Sequence, residues 1–164
     1  MTRIDFSMSE NVPLQASAEA LPSFMSRQVV QARRFYLEAG VRDRAPLSVV
    51  SVGWEKCARD YLIHRDTFPF LSLEFVAGGK GQLEIAGQIH ALSAGSLFAY
   101  GPDIPHRIQT DPNDLLDKYF VDFFGPQSLP LMKELDLVPG QIRQYQRGLE
   151  LKDAFEHLIR LAGQ

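Results

Sequence analysis

From Leu47 to Gly125 the punctuation by glycine, proline and other turn residues is that of an all-β domain. The pieces between the breaks are short and rich in β-branched and aromatic residues, the composition of strands. Leu47–Gly53 is a β-branched run, and Tyr61–His64 is a short extended piece. Leu71–Ala77 runs into Gly78-Gly79-Lys80-Gly81, whose glycines supply the positive φ angles of a tight hairpin. Gln82–Ala86 alternates polar and apolar up to Gly87, Ile89–Leu92 ends at Ser93-Ala94-Gly95, and Leu97–Tyr100 ends at Gly101-Pro102. His106–Thr110 precedes the turn Asp111-Pro112-Asn113-Asp114, and Lys118–Phe124 stops at Gly125-Pro126. Strands of this length and spacing close into a sandwich or a barrel.

The flanks read differently. Residues 1–23 are polar, contain Pro13 and Pro22, and have no sustained period, which predicts an N-terminal arm. Over residues 24–39, Phe24, Val29, Ala32 and Tyr36 fit a helical face, whereas Phe35–Leu37 fit a strand ending at Gly40. The second half is assigned to a strand because β structure follows at once. Beyond Pro126, Ser128 is placed to cap a helix with Pro130 in its first turn, Leu131 and Leu135 on one face, and Val138-Pro139-Gly140 as its end. Leu149–Ala162 is a second helix, with Leu151, Phe155, Leu158, Ile159 and Ala162 forming an apolar stripe. Glu150 and Asp153 near its start and Arg160 near its end suit the helix dipole. The chain thus divides into an arm (1–23), a β-barrel (24–126) and C-terminal helices (127–164), a mainly β class of fold.

The 164 residues, 45% apolar and 23% charged, suffice for one domain with its own core. No run of about 18 apolar residues occurs, so no membrane span is expected, and Met1–Glu10 has no apolar signal core. Cys57 is the single cysteine, which excludes an intrachain disulfide and points to a cytoplasmic protein. A net charge of −3 and a pI near 5.8 argue against direct contact with nucleic-acid phosphates. The basic stretch Arg33, Arg34, Arg42 and Arg44, interleaved with Glu38 and Asp43, reads as solvated surface.

Glu74 and Gly81 stand at the glutamate-to-glycine spacing of the first cupin motif. Gly95 and His106, with Gly101–Pro105 filling the turn, match the second, so this region resembles the cupin superfamily. A metal-binding cupin carries a His-x-His pair shortly before the glutamate; here that region is Thr67-Phe68-Pro69-Phe70. Of the usual ligands only Glu74 and His106 remain, with Cys57 and His64 as distant substitutes, and a catalytic metal needs at least three. No metal or other cofactor is therefore expected, and a metal on Glu74 and His106 stands as the lesser alternative. A more specific similarity is to the N-terminal ligand-binding and dimerisation domain of AraC-family transcription regulators, through Leu92, Gly95, Leu97, Phe98, Tyr100, Pro102, Pro105 and His106. It implies a cupin-type double-stranded β-helix (jelly-roll) barrel followed by two α-helices, a small-molecule effector (often a sugar) inside the barrel, and a homodimer through the last helix. Such regulators continue into a helix-turn-helix DNA-binding domain. The sequence ends at Gln164 without one, which is read as a truncated piece or a short relative that touches DNA only through that absent domain.

Strand parity adds to what the resemblance implies. If Glu74 faces inward, so do Ser72 and Val76, and Phe70 and Phe68 with them; on the last strand Lys118, Phe120 and Asp122 share one face. The resemblance implies that Lys118 and Phe120 occupy pocket positions. The expected ligand-binding set is therefore Phe70, Glu74, His106, Lys118 and Phe120, joined by Trp54, which fits core filling and ligand stacking equally, and by Arg65. The resemblance places Arg65 at a polar contact, but it reads more readily as a plain surface arginine. A pocket of this kind suits a hydroxylated or anionic ligand; the alternative is that Glu74, Lys118 and Asp122 only satisfy one another. The expected dimer contacts are Leu151, Phe155, Leu158 and Ile159. His64, His90 and His157 read as ordinary surface or edge residues. The competing function is a small stand-alone cupin enzyme, a sugar isomerase or metal-dependent dioxygenase, with which the missing imidazole pair disagrees.

Overall fold

A computed structural model describes residues 3–5, 22–37 and 45–164; the rest of the expected arm, the Gly40 turn, Arg42 and Arg44 lie outside the described residues. All of the strands expected between Leu47 and Phe124 form. They are β3 (Ser48–Cys57), β4 (Leu62–Arg65), β5 (Leu71–Gly78), β6 (Gly81–Ile85), β7 (Gln88–Leu92), β8 (Ser96–Tyr100), β9 (His106–Thr110) and β10 (Asp117–Phe124). Ahead of them run β1 (Arg3–Asp5) and β2 (Val29–Leu37), and after them α1 (Ser128–Glu134), β11 (Ile142–Gln144) and α2 (Gly148–Ala162). Of the ambiguous stretch 24–39, Val29–Leu37 is strand, longer than its aromatic end suggested, and residues 38 and 39 lie outside the described residues. Within the expected arm, residues 3–5 are a strand paired antiparallel to β2.

The strands form two antiparallel sheets, ordered β1-β2-β3-β10-β5-β8-β11 and β4-β9-β6-β7. This is a cupin-type β fold with C-terminal helices. The inner strands of the large sheet serve two cores because side chains alternate across it. On the inner face, Val76 and Phe98 meet Tyr61, Phe68, Leu83, Ile108 and Leu116. On the outer face, Phe75, Tyr119 and Val121 pack under Phe155, Ile159 and Ala162 of α2. The rings of Phe75 and Phe155 stack 6.2 Å apart and nearly parallel. β10 lies at the centre, between β3 and β5, so its two faces belong to the barrel interior and to the helix seat.

Three expectations are corrected here. Phe155 and Ile159 are not spare interface surface: they are 6% and 3% exposed within the chain's own core, a burial worth about 1.5–3 kcal/mol each. Ser128 does not cap α1, since Gln127 holds the cap position and the Ser128 hydroxyl is buried with no hydrogen-bond partner. Arg34 is not solvated surface but is 4% exposed and ion-paired to Glu55, whereas Arg33 stays partly open to solvent while it pairs with Glu156. β11 escaped the sequence reading because Ile142-Arg143-Gln144 is too short and polar to carry a period; it pairs with β8, opposite Phe98, Leu97 and Ser96.

The β5–β6 hairpin gives a direct test. Gly79 has φ +76°, and a Cβ there would lie 2.0 Å from the backbone oxygen of Leu115, which has no side-chain freedom to move aside. Gly79→Ala should exceed the cost of about 1–2 kcal/mol for a left-handed residue alone, read as a lower urea midpoint. A loss below about 1 kcal/mol would show that the hairpin and the Leu115 segment are not packed this way.

Candidate ligand-binding site

The barrel interior is organised by one ammonium group. Lys118, 2% exposed, points inward from β10 with Nζ 2.7 Å from Glu55 Oε1 and 2.7 Å from Glu74 Oε2. Strand register explains the placement: Lys118 is directly opposite Glu55 on β3, while Glu74 on β5 is opposite Phe120, one diagonal step away. Arg34 of β2 closes the other side of Glu55, with Nη2 2.5 Å and Nε 3.1 Å from Oε2. Tyr61 donates to Glu55 Oε1 at 3.2 Å, and Tyr100 donates to Glu74 Oε1 at 2.6 Å. Burial opposes ionisation of Glu55, but Lys118 and then Arg34 outweigh it and hold the carboxyl at about 2. Burial likewise opposes the charge on Lys118, and Glu55 and Glu74 raise its pKa well above the ordinary lysine value all the same. These are buried charges that are paired and hydrogen-bonded, the condition under which burial is tolerated.

A second group lies nearer the barrel mouth. His106, 2% exposed, stacks on Tyr100 with centroids 3.9 Å apart. Its Nδ1 is 2.9 Å from the Ile104 carbonyl, which can only accept, so Nδ1 carries the proton and Nε2 offers a lone pair towards Arg65 Nη1 at 3.4 Å. Burial lowers the His106 pKa, which favours this neutral form. Arg65 lies over the Phe68 ring at 5.0 Å, reaches the Tyr100 hydroxyl at 3.4 Å, and donates to the Phe24 carbonyl through Nη2. Asp122 stands apart from these cations and accepts a hydrogen bond from Ser51. Burial pushes its carboxyl up to about 6, against the opposing influence of Ser51 and Ser72.

The segment 22–28 crosses the mouth as a strap. The Ser26 carbonyl accepts from Arg34 Nη1 at 2.7 Å, and the Phe24 ring packs edge-on against Phe68 and Phe70 at 5.7 and 5.8 Å. Beneath it, a cavity of about 30 Å³ is bounded by Phe24, Met25 and Ser26 above and by Glu55, Glu74, Lys118, Phe120 and Asp122 below. That is room for a water molecule or two. Gly53, opposite Phe120 in the register, keeps the floor open: a Cβ there would sit 2.9 Å from the Phe120 ring.

Of the residues expected at the site, Glu74, Lys118, Phe120 and Arg65 line this cavity. His106 stands behind Tyr100, and Phe70 belongs to the aromatic cluster around Phe24. Trp54 is the correction. It sits one residue before Glu55 and faces the helix side, where its indole donates to Asp117 at 2.5 Å and carries Arg33 over its ring. Glu74, Lys118 and Asp122 do not form a closed triad, since Lys118 pairs with Glu55 and Glu74 but not with Asp122. Glu55, Arg34 and the strap were missed; in β2 Phe35 faces the helix side, and alternation from it turns Arg34 inward.

The residues left from the cupin ligand set do not fit a metal ion. Both Glu74 oxygens are engaged, one by a fixed cation, and the free nitrogen of His106 looks at a guanidinium. Among the described residues no three His, Cys, Asp or Glu side chains converge to hold one.

Asp122 predicts a pH dependence opposite to that of Glu55. Its folded value exceeds the ordinary 3.8, so the folded state keeps a proton that the unfolded chain has lost, and stability falls as pH rises from about 4 through about 6. The burden remains at higher pH. Asp122→Asn should remove it, gaining up to about 3 kcal/mol over the parent between pH 4 and pH 8 at about 1.4 kcal/mol per pKa unit. Paired urea titrations at the two pH values check this, and a constant difference would contradict the placement of Asp122. The Glu55 contribution lies below about pH 4.5 and is common to both proteins.

The AraC-like ligand binding domain model matches residues 48–164. No curated protein sequence matches the chain. Among solved structures, the plu4264 protein from Photorhabdus luminescens is similar at 13% identity, covering 79% of this chain and 99% of that one, with a TM-score of 0.47. A Cupin 2 conserved barrel domain protein from Salinispora arenicola is 16% identical over 66% of this chain and 89% of its own, with a TM-score of 0.42. The Cupin_2 domain of an XRE family transcriptional regulator from Enterobacter cloacae is 12% identical over 48% of this chain and 96% of its own, with a TM-score of 0.39. The match over residues 48–164 takes in Glu55, Glu74, Lys118 and Asp122 together with both helices, though not Arg34 or the strap, and the chain belongs to the family of AraC-like ligand-binding domains.

Proposed function

We propose that this chain is the sensing and dimerisation part of an AraC-type transcription regulator and binds a small polar or anionic effector, sugars and sugar acids included, inside its barrel. The observation that carries this reading is the cavity under the strap, where buried ionisable groups converge although the fold itself would be served as well by an apolar filling. In this reading the domain regulates and does not catalyse, and DNA contact belongs to a helix-turn-helix unit that the described elements do not form. Among the described residues no helix is long and apolar enough to cross a membrane.

The dimer contact belongs to the outer side of α2. With Phe155 and Ile159 turned inward and Leu151 partly buried beside them, Ala154, Leu158 and Leu161 follow a four-three spacing along the exposed flank of α2, the spacing of a two-helix seam. Leu158 and Leu161 remain 36% and 52% exposed in the single chain. A two-fold axis lets such a stripe cover itself.

A thermal-shift screen of sugars, sugar acids and aromatic acids tests the first part. A true effector at a hundred times its Kd should add about 2.7 kcal/mol of stability, and Glu74→Gln should weaken its binding by about one to a few kcal/mol. A Glu74→Gln protein that binds with undiminished affinity would place the site elsewhere. For the second part, sedimentation should show a dimeric parent at micromolar concentration and a monomeric Leu158→Glu variant; a charged variant that stays dimeric removes α2 from the interface.

A further inference from the structure

The strap over the cavity carries a feature of its own. Phe24 places two groups in the site together: a ring enclosed by Phe68, Phe70 and Tyr36, at 5.7, 5.8 and 6.0 Å, and a carbonyl oxygen on the Arg65 guanidinium. Phe68 and Phe70 both meet the Phe24 ring close to edge-on, at 88° and 78°, the arrangement by which aromatic quadrupoles attract. The box therefore favours an aromatic ring over an aliphatic chain of equal size.

Arg65 is the ill-satisfied member of the interior. Arg34 and Lys118 are matched by Glu55 and Glu74, but among the described residues no carboxylate lies within ion-pair distance of Arg65. Its donors go to a carbonyl oxygen, to a phenol and to a neutral imidazole, the last two at a long 3.4 Å. The guanidinium, 5.0 Å from the centre of the Phe68 ring, is a planar fork of a kind suited to a carboxylate. A carboxylate on that fork makes charge-assisted bonds about twice as strong as those from a neutral carbonyl. The remaining cavity of about 30 Å³ admits nothing larger than water while Phe24 and Met25 are in place.

We propose that Phe24 is a built-in occupant of the ligand site, and that the ligand which displaces it is an aromatic carboxylate, its ring taking the box of Phe68, Phe70 and Tyr36 and its carboxylate the Arg65 fork. This deepens, and rests on, the reading that the effector binds inside the barrel. Binding then releases the strap: the Arg65–Phe24 contact is lost, and the segment 22–28 is freed at the mouth.

Calorimetric titration of the full chain with benzoate, benzamide and glucose, with amide exchange on the segment 22–28, tests it. Benzoate should bind about tenfold or more tightly than benzamide, the difference of one charge-assisted bond. Arg65→Gln should lose about the same factor for benzoate and little for benzamide. Phe24→Ala, which deletes the internal competitor, should bind benzoate more tightly than the parent, and its thermal melt shows whether it is folded. Amides 25–28 should exchange faster with benzoate bound. Slower exchange would mean that the strap closes over the ligand and is not displaced by it, which overturns the proposal. Failure of benzoate to bind a folded Phe24→Ala variant also overturns it. Glucose binding that slows or speeds strap exchange, with benzoate inert, would reject the ligand class and keep the barrel site. Benzoate binding with strap exchange unchanged would reject the barrel site for this ligand.

Discussion

The Lys118 ammonium is the group on which the rest of the interior depends. It ties the central strand to both neighbours at once, through Glu55 on β3 and Glu74 on β5, with equal 2.7 Å contacts. A one-residue slip of β10 against either neighbour would carry Lys118 to the helix face and bring Tyr119 into the barrel. The ion pairs therefore fix register as well as charge. They need not add net stability over a well-packed apolar core, because desolvation takes back much of the attraction. What they impose is an asymmetry: removing either partner leaves a buried charge unmatched, so the three side chains stand or fall together.

The same strands carry a second polar cluster on their other face. Arg33, Trp54 and Tyr119 are each sequence neighbours of Arg34, Glu55 and Lys118, and they gather around Glu156 of α2. Arg33 forks onto that carboxylate at 2.5 and 3.0 Å, Tyr119 donates to it at 2.6 Å, and Arg33 lies 5.4 Å from the centre of the Trp54 ring. The side-chain bonds to Arg33 are the main reason the Glu156 pKa is lowered. Being half open to solvent, the Arg33–Glu156 pair contributes about 1 kcal/mol at most. Its value is positional. It seats α2 on the backbone that presents the ion-paired interior, so the helix and the ligand cavity share β2, β3 and β10 with no loop between them.

Much of this was legible in the sequence because glycine and proline mark where strands must stop, and alternation then assigns faces. Parity grouped Lys118 with Phe120 and Glu74 with Ser72 and Val76, and the resemblance to cupins and AraC-type domains said which face is the inner one, the face on which the structure has them. Arg34 was lost because the strand was recognised only from its aromatic end, Phe35–Leu37; without Arg34 inside a strand, two adjacent arginines look alike, although one is 4% exposed and the other clamps a helix. Trp54 was misplaced for the complementary reason, since a large aromatic beside a pocket region suits either face until Glu55 is known to take the inner one. The strap at 22–28 has no periodicity to read. Its place is set by two backbone carbonyls, and carbonyls leave no trace in side-chain patterns. The stripe on α2 was read as wide enough for both the barrel and a partner, but which residues serve the barrel is set by packing, and Phe155 and Ile159 prove to be on that side.

The departure from the metal-binding cupin pattern also has a physical consequence. Phe68 and Phe70 occupy the stretch where that pattern has imidazoles, and the glutamate left from it is neutralised by a lysine. A bound metal contributes to folding only in proportion to its supply and to the deprotonation of its ligands. A lysine is covalently part of the chain, and its pKa here lies well above the ordinary value, so its charge is present at any pH at which the protein would work. The interior is thus balanced before any ligand arrives, and the barrel can fold empty. An incoming molecule does not complete an unfinished coordination shell but has to compete with internal groups that already satisfy one another. The buried cation least well matched by those groups is Arg65, whose donors meet a carbonyl, a phenol and an imidazole and no carboxylate among the described residues.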